Sequence, residues 1–413
     1  MGNENSVIVG LDIGTTKIGV IVAEIGADGE VRIVGVGTSP SEGLRRGVVV
    51  NVEKTVQSIK TAVARAERSS GKKISSVYAG IAGDHIRSIN SRGVIAVSRG
   101  DHEITPGDVR RVIDAAKAVA IPMDREIIHV LPQGYVVDDQ SGIKDPVGMA
   151  GVRLEAEVHI VTGAVTSAQN IYNSIRKAGL EVKDLVLQPL ASSYAVLSQD
   201  EMELGVGLLD IGGGTTDIAL FFEGSIRHTA VIGFGGRNVT NDIAIGLRTP
   251  VDKAEEIKIE KGCALQTMMD KDEVMEVEST GGRPSRQISR SVLCSVIEPR
   301  VEEIFSLARR EIKKSDYAGL LTTGIVITGG SSLIEGSVEL AEQVFDLPVK
   351  LGVPQEIGET MDEVKSPVFS TGIGLIHYAQ KHRTGDNGFW DISESNPFEK
   401  ILERMKGWFR DFF

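Results

Sequence analysis

The chain has 413 residues, more than a single hydrophobic core usually organises, so we expect two halves or several subdomains. It is 41% hydrophobic and 25% charged with a mean hydropathy of zero, which excludes a polytopic membrane protein. A net charge of −12 argues against nucleic acid as the main partner. Two cysteines, Cys263 and Cys294, provide neither a disulfide framework nor a metal cluster.

A repeat at an interval of about 200 residues organises the chain. Each copy begins with a buried strand that ends at an aspartate, Asp12 in the first copy and Asp210 in the second. A turn rich in glycine and threonine follows, and then two further β-rich segments. The turn residues are Gly14, Thr15, Thr16 and Lys17 in the first copy and Gly212, Gly213, Gly214, Thr215 and Thr216 in the second. The repeat predicts an α/β protein of two similar halves.

Each half also carries an insertion. The first follows the apolar strand Val77–Ile81, and its pattern predicts strands over Ile86–Val97 and Ile127–Val137 and a helix that Thr105 caps. The second lies between Gly235 and about residue 306. The predicted divisions are residues 1–83, 163–200 and about 366–383 for the first half, 84–162 for its insertion, 201–234 and 305–365 for the second half, 235–304 for its insertion, 384–397 for a polar linker and 398–413 for a terminal helix.

The two turns have the chemistry of a phosphate site. A glycine-rich turn exposes successive backbone N–H groups that can hold anionic oxygens, and glycine lets the backbone approach a ligand closely. Lys17 adds a positive charge for the outer phosphates. Asp12 and Asp210 repel phosphate, but they can hold a hydrated Mg²⁺ that bridges phosphate oxygens. The alternative is a pair of tight hairpins that need glycine only for their geometry.

A third glycine motif follows strand Ile325–Thr328 and precedes a helix predicted to begin at Ile334. Its residues Gly329, Gly330 and Ser331 would let a flat base or a ribose lie against the backbone. A plain turn between a strand and a helix remains the alternative.

Together, the three motifs resemble those of the actin, Hsp70 and sugar-kinase ATPase superfamily, in the same order along the chain. The resemblance implies an actin-like ATPase fold, with two duplicated α/β halves around a cleft that holds ATP and Mg²⁺. It also implies roles for five more residues: Gln188 would orient the attacking water, Gly235 and Gly236 would lie beside the phosphates, and Glu255 and Lys258 would border adenosine. Without the resemblance, the segment Ala254–Lys258 is simply a charged amphipathic helix.

The place of the first insertion resembles one family of that superfamily. The interval Gly37–Val52 is too short for the subdomain that actin, MreB and Hsp70 carry there, and the extra residues follow Val77–Ile81 instead. This arrangement, and segments such as Gly148–Arg153 and Val296–Arg300, are similar to the FtsA family of bacterial division proteins. The family resemblance implies ATP binding with at most slow hydrolysis, self-assembly into an actin-like polymer and recruitment of later division proteins.

The C-terminal segment predicts an amphipathic helix. Basic and acidic residues fall on one face, and apolar side chains recur at helical spacing and form a stripe on the other. The residues of the apolar stripe are Phe398, Ile401, Leu402, Met405, Trp408, Phe409, Phe412 and Phe413. Such a helix suits the bilayer interface, and FtsA family members end in one. A terminal helix packed on the protein core is the alternative.

A basic stretch in the second insertion predicts a partner site. Residues 279–294 carry three arginines and no acidic residue, and Arg300 follows. In the FtsA family this subdomain receives the acidic C-terminal peptide of FtsZ, so Arg286 and Arg300 are the residues that the resemblance implies for it. Solvated surface arginines are the alternative.

The sequence thus predicts a member of the FtsA family that tethers FtsZ filaments to the cytoplasmic face of the cell membrane at the division site. A small-molecule phosphotransferase of the same fold is a rival, although it requires an acceptor pocket with an aspartate base. An Hsp70-like chaperone is a second rival, although no substrate domain follows residue 383.

Overall fold

The computed structural model describes residues 6–26, 29–98, 100, 102–268, 273–355 and 362–383, and the predicted linker and terminal helix lie outside them. The first half begins with three antiparallel strands whose inward residues are apolar. Helix α1 is capped by Asn51, which accepts a hydrogen bond from the backbone N–H of Lys54. The elements are β1 (Ser6–Ile13), β2 (Lys17–Ile25), β3 (Val31–Pro40), the short pair β4 (Leu44–Arg45) and β5 (Val48–Val49), α1 (Val52–Ser70) and β6 (Ser76–Ile81).

A separate four-stranded antiparallel sheet with one helix follows: β7 (Arg87–Ala96), α2 (Pro106–Lys117), β8 (Arg125–Val137), β9 (Gln140–Ile143) and β10 (Arg153–Ala164). The cap predicted at Thr105 is present, since its side chain accepts from the backbone N–H of Asp108 at 3.4 Å. Strand β10 lies between β7 and β8, and the sequence analysis did not predict it. Its apolar pattern is interrupted by Glu155, which is buried beside Arg92 and Arg153.

The two halves have matching sheets. After α3 (Val165–Lys177), β11 (Glu181–Leu187), α4 (Gln188–Val196) and α5 (Gln199–Leu204) come the strands β12 (Val206–Ile211), β13 (Thr216–Phe222) and β14 (Ser225–Ile232). The first sheet has the order β11-β6-β1-β2-β3. The second has the same plan, because two later strands, β17 (Ile325–Thr328) and β18 (Val349–Leu351), occupy the places of β6 and β11. Strands β1 and β12 are therefore equivalent, and the turn after each lies at the same edge of its sheet.

The second insertion is mainly helical. It contains α6 (Gly236–Leu247), α7 (Val251–Lys261), the strand pair β15 (Val274–Val277) and β16 (Arg286–Ser289), and the start of α8 (Arg290–Lys314). The chain ends, as described, with β17, α9 (Ser337–Phe345), β18 and α10 (Ser370–Arg383). The helix predicted to begin at Ile334 begins at Ser337 instead. A short 3₁₀ turn, Gly330–Leu333, and the left-handed backbone of Gly336 at φ 76° come before it.

Helices α4 and α10 cross each other near the boundary between the halves, and their backbones approach very closely there. A Cβ at Gly374 would lie 1.8 Å from the carbonyl oxygen of Ala191, so only glycine permits this approach. Around the crossing, an apolar cluster joins residues of both halves, among them Ile8, Ala195 and Leu208. The crossing fixes α4, whose first residue is Gln188, at the boundary between the halves. No helix in the described part of the chain is long and apolar enough to cross a membrane.

Candidate functional site

The two glycine turns meet at a cavity of about 270 Å³ between the halves. Each turn is closed by an equivalent hydrogen bond: the N–H of Gly14 donates to the carbonyl of Lys17 at 3.0 Å, and that of Gly212 to Thr215 at 2.9 Å. Sixteen of the residues predicted for the nucleotide site line the cavity: Asp12, Gly14, Thr15, Thr16, Lys17, Gln188, Asp210, Gly212, Gly213, Gly214, Thr215, Glu255, Lys258, Gly329, Gly330 and Ser331.

The turns touch each other directly. A Cβ at Gly213 would lie 2.4 Å from Cγ2 of Thr16, and one at Gly214 would lie 2.5 Å from Oγ1 of Thr15. A side chain at either glycine would push the halves apart, so the absence of a Cβ is needed for the closed arrangement.

Three predicted residues do not line the cavity and instead hold the second turn in place. Thr216 is fully buried, and its hydroxyl donates to the carbonyl of Phe234 at 2.9 Å. The backbone N–H of Gly236 donates to the carbonyl of Gly212 at 2.9 Å, and a Cβ at Gly235 would lie 2.5 Å from that same oxygen. These residues therefore join the turn to the start of α6.

Asp210 is buried and Asp12 is partly buried at the cavity, and both are held by hydroxyl or amide donors. The side-chain amide of Gln188 donates to Asp12 at 3.1 Å, and the hydroxyls of Ser192 and Thr371 donate to Asp210 at 2.6 and 3.2 Å. Burial raises the pKa of Asp12 to about 6, with a smaller contribution from the nearby charge of Asp210. Burial also raises the pKa of Asp210, although its two hydroxyl donors oppose the shift.

A third carboxylate, Asp217, also lines the cavity, and the sequence analysis did not select it. One of its oxygens accepts from the hydroxyl of Thr215 at 3.1 Å, whereas Oδ1 is buried and has no hydrogen-bond partner in the described structure. Burial and the neighbouring Asp210 raise the pKa of Asp217 to about 8. Its position in the second hairpin, where the first hairpin has Gly19, was the signal available in the sequence.

Lys17 lies among these carboxylates, but its ammonium contacts the segment that precedes α10. It donates to the carbonyl of Val368 at 2.8 Å and lies 4.1 Å from the centre of the Phe369 ring. Burial lowers its pKa, while Asp12 and Asp210 oppose that shift. Three buried or partly buried carboxylates therefore face one partly buried ammonium, and this imbalance favours an additional cation in the cavity.

The chemistry of the site fits a hydrated cation better than a directly bound one. Among the described residues, no three His, Cys, Asp or Glu side chains lie close enough to hold a metal together. Mg²⁺ commonly keeps several of its waters and uses one or two carboxylates. The unpaired oxygen of Asp217 and the carboxylates of Asp12 and Asp210 could accept hydrogen bonds from such waters.

The opposite end of the cavity is partly apolar. Lys258 is buried there and donates to the carboxylate of Glu255 at 2.7 Å and to the hydroxyl of Thr240 at 3.0 Å. Ile259 and Leu333 are exposed at the edge of the cavity, and Ser331 donates to the carbonyl of Gly212 at 3.1 Å. A flat base can lie between apolar side chains at this end while phosphates extend towards the turns.

The two arginines predicted for a partner, Arg286 of β16 and Arg300 of α8, both contact α6 and do not line the cavity. The guanidinium of Arg286 donates to the carbonyl of Leu247 and to the hydroxyl of Ser279, the latter at 3.2 Å. Arg300 forms ion pairs with Asp242 and Glu303, and Asp242 is the main cause of the raised pKa of Arg300. Sequence reasoning treated both as available charges, but each already has a partner within the fold.

Comparisons with known proteins agree with this architecture. A family model described as cell division protein FtsA matches residues 207–374, and one described as an SHS2 domain inserted in FtsA matches residues 83–162. The chain is 52% identical over 410 residues to cell division protein FtsA of Pseudomonas aeruginosa, and the alignment covers 98% of each chain. It is 40% identical over 417 residues to cell division protein FtsA of Escherichia coli, and the alignment covers 99% of each chain.

Solved structures show the same fold at low identity. The PilM–PilN type IV pilus biogenesis complex matches with a TM-score of 0.67 and 16% identity, covering 90% of this chain and 98% of that one. MreB 5 of Spiroplasma citri bound to AMPPNP matches with a TM-score of 0.57 and 15% identity, covering 93% of this chain and 99% of that one. These matches confirm the predicted actin-like ATPase fold.

The protonation of Asp217 predicts a pH dependence of stability in the absence of nucleotide and divalent cations. Its pKa of about 8 lies above the ordinary 3.8, so the folded protein holds a proton that the unfolded chain releases. This contribution is complete below the ordinary pKa and is lost as the pH rises through about 8. Between about pH 6 and about pH 9, Asp217→Asn should therefore show a smaller fall in Tm than the parent protein. Asp139→Asn, at a fully exposed aspartate, should follow the parent, and equal falls in all three proteins would contradict this.

Proposed function

The chain belongs to the FtsA family of cell division proteins, and we propose that it binds ATP with Mg²⁺, assembles with copies of itself and tethers FtsZ filaments to the membrane. The observation that carries the nucleotide part is the contact of two equivalent glycine turns beside three carboxylates that are buried or partly buried. Because unpaired buried carboxylates are costly, a ligand that brings a divalent cation to this place would stabilise the closed arrangement.

Different residues of the cavity would bind different parts of ATP and its Mg²⁺. The backbone N–H groups of the two turns would hold phosphate oxygens, and Asp12 and Asp210 would hold the waters of Mg²⁺. Bound there, Mg²⁺ would supply charge neutralisation for the phosphates. Gln188 is held by Asp12 at the start of α4, where it could orient a water. Glu255 and Lys258 would border the adenosine at the opposite end.

Binding would be coupled to the angle between the halves. The turns contribute to the same cavity from opposite sides, so a ligand that contacts both favours the closed form. Helix α4 joins the halves at Gln188 and Ser192, which contact Asp12 and Asp210 respectively. Changes at the cavity would thus alter the surfaces that one copy presents to the next during assembly.

The membrane part of the proposal rests on the C-terminal segment. Its apolar stripe, Phe398–Phe413, contains five aromatic residues, and the segment also carries four basic ones. One short helix binds lipid weakly and reversibly, so several tails on one polymer would strengthen attachment through avidity. Retention at the inner face of the cell membrane would therefore depend on self-assembly.

The partner part rests on the surface formed by α6 and α8. Arg286 and Arg300 both contact α6, and Ile245 on the same helix is 77% exposed. Cationic groups beside an exposed apolar side chain suit a peptide that is both acidic and apolar, as the FtsZ C-terminal peptide is expected to be. Its carboxylates would compete with Asp242 and Glu303 for Arg300.

The nucleotide proposal predicts that Gly213→Ala weakens ATP binding. The added Cβ would collide with Thr16 and separate the turns, so we expect affinity for ATP with Mg²⁺ to fall about tenfold or more. Calorimetric titration with and without EDTA measures this, and removing Mg²⁺ should weaken binding to the parent protein as well. The matched control is Gly319→Ala, where no heavy atom lies within 4 Å of the added Cβ. Unchanged affinity in Gly213→Ala would show that the turns do not form the site.

The tail proposal predicts that a chain ending at Asn396 loses its association with lipid. In co-sedimentation with anionic liposomes and ATP, the full chain should pellet and the shortened chain should remain in the supernatant, because the apolar stripe is absent. Trp408→Glu in the full chain places a charge within the stripe and should give an intermediate result. If the full and the shortened chains pellet equally, the tail is not the anchor.

The partner proposal predicts that Arg300→Glu weakens binding of the FtsZ C-terminal peptide by about tenfold or more, since a carboxylate replaces the guanidinium that the peptide would contact. Fluorescence anisotropy with a labelled peptide measures the affinity. Arg310→Glu, at an exposed position of the same helix α8, gives the same change in net charge and should bind like the parent. Equal binding by all three proteins would remove this surface from the proposal, whereas lipid sedimentation should be unaffected in every case.

A further inference from the structure

A second cavity, of about 390 Å³, adjoins the two glycine turns at Thr15 and Gly214. Arg45, the last residue of β4, and Arg46, in the turn that follows, line it from the first half. Arg237, Asn238 and Asn241 line it from α6 of the second half. We call this cavity the arginine cleft.

The charge of the arginine cleft contrasts with that of the protein. The chain carries a net charge of −12, yet none of the aspartates and glutamates that the structure describes lines the cleft. Some other arginines of the structure pair with carboxylates, as Arg290 does with Glu273 and Glu335. Within the described ranges, no ion pair involves Arg45, Arg46 or Arg237. Three positive groups thus gather without a counter-charge, which favours an anion between them.

The local backbone brings these arginines to the boundary between the halves. Arg46 has a left-handed backbone with φ 50°, which is uncommon for a residue other than glycine, and Gly47 follows with φ 76°. The guanidinium of Arg46 lies across the boundary against Gly233, where an added Cβ would be 3.7 Å from Nε. The first half therefore places a cation directly against the second.

The arginine cleft is also connected to both phosphate turns. Thr15 and Gly214 line this cleft as well as the nucleotide cavity. The backbone N–H of Gly47 donates to the hydroxyl of Thr15 at 3.1 Å, which links the β4–β5 turn to the first glycine turn. The backbone N–H of Arg237 donates to the carbonyl of Gly213 at 2.8 Å, which links α6 to the second.

We propose that the arginine cleft binds a phosphate-bearing anion, which bridges Arg45 and Arg46 of the first half to Arg237 of the second. Guanidinium groups match phosphate oxygens through paired hydrogen bonds, and the amides of Asn238 and Asn241 add donors. An anion held from both sides offsets the repulsion between the arginines and favours closed turns. The anion can be free phosphate or a phosphate ester such as a lipid headgroup.

The effect on nucleotide retention rests on the proposed ATP binding, whereas anion binding itself does not. The direct test is calorimetric titration of the full chain with pyrophosphate at constant ionic strength. Arg237→Ala should weaken binding about tenfold or more, because a charged hydrogen-bond donor is lost. Arg110→Ala, which removes one exposed arginine from α2, should bind like the parent protein. Equal affinity in all three proteins, or no binding to the parent, would overturn the proposal.

Two further measurements separate the remaining possibilities. Titration with inorganic phosphate and with glycerol 3-phosphate identifies the source of the anion, since the better ligand of the two indicates free phosphate or an ester headgroup. Pyrophosphate should also slow the release of a fluorescent ATP analogue from the parent protein but not from Arg237→Ala; equal rates would overturn the coupling. If the analogue does not bind at all, the proposed nucleotide function fails while the pyrophosphate titration still decides the anion site.

Discussion

The direct contact between two glycine turns is the constraint on which the rest of this structure depends. Gly213 and Gly214 lie against Thr16 and Thr15 at distances that leave no room for a Cβ. The two equivalent sheets, the crossing of α4 with α10 and the shared apolar cluster all serve to bring the ends of β1 and β12 to this contact. Without it, each turn would be an ordinary hairpin at the edge of its own sheet.

The same contact concentrates negative charge in the cavity between the halves. Asp12, Asp210 and Asp217 are drawn together because each stands at the start or end of a strand that leads to a turn. The pKa values of all three are raised by burial, so part of the stability of the closed form depends on protonation or on a cation. A fold arranged in this way is sensitive to its ligand, since the ligand removes a cost that the folding of the chain imposes.

Sequence reasoning could identify the turns because the same pattern of strand, aspartate and glycine occurs twice in the chain. It could also predict α2, since Thr105 and Pro106 mark a helix start whatever surrounds it. It could not predict β10, because the burial of Glu155 depends on arginines brought in by other strands. Nor could it detect the partners of Asp210, since Ser192 and Thr371 lie far from it along the chain and meet it only through the crossing of α4 and α10.

The first insertion has a mechanical consequence for the whole molecule. Although its chain belongs to the first half, Ser88, Asn90 and Gln133 donate hydrogen bonds to the backbone carbonyls of Thr229, Arg227 and Ile226 in β14. The insertion is thus joined to the first half by the chain itself and to the second half by these hydrogen bonds. Any rotation of one half against the other would have to stretch or break these hydrogen bonds, so such a rotation would also move the insertion.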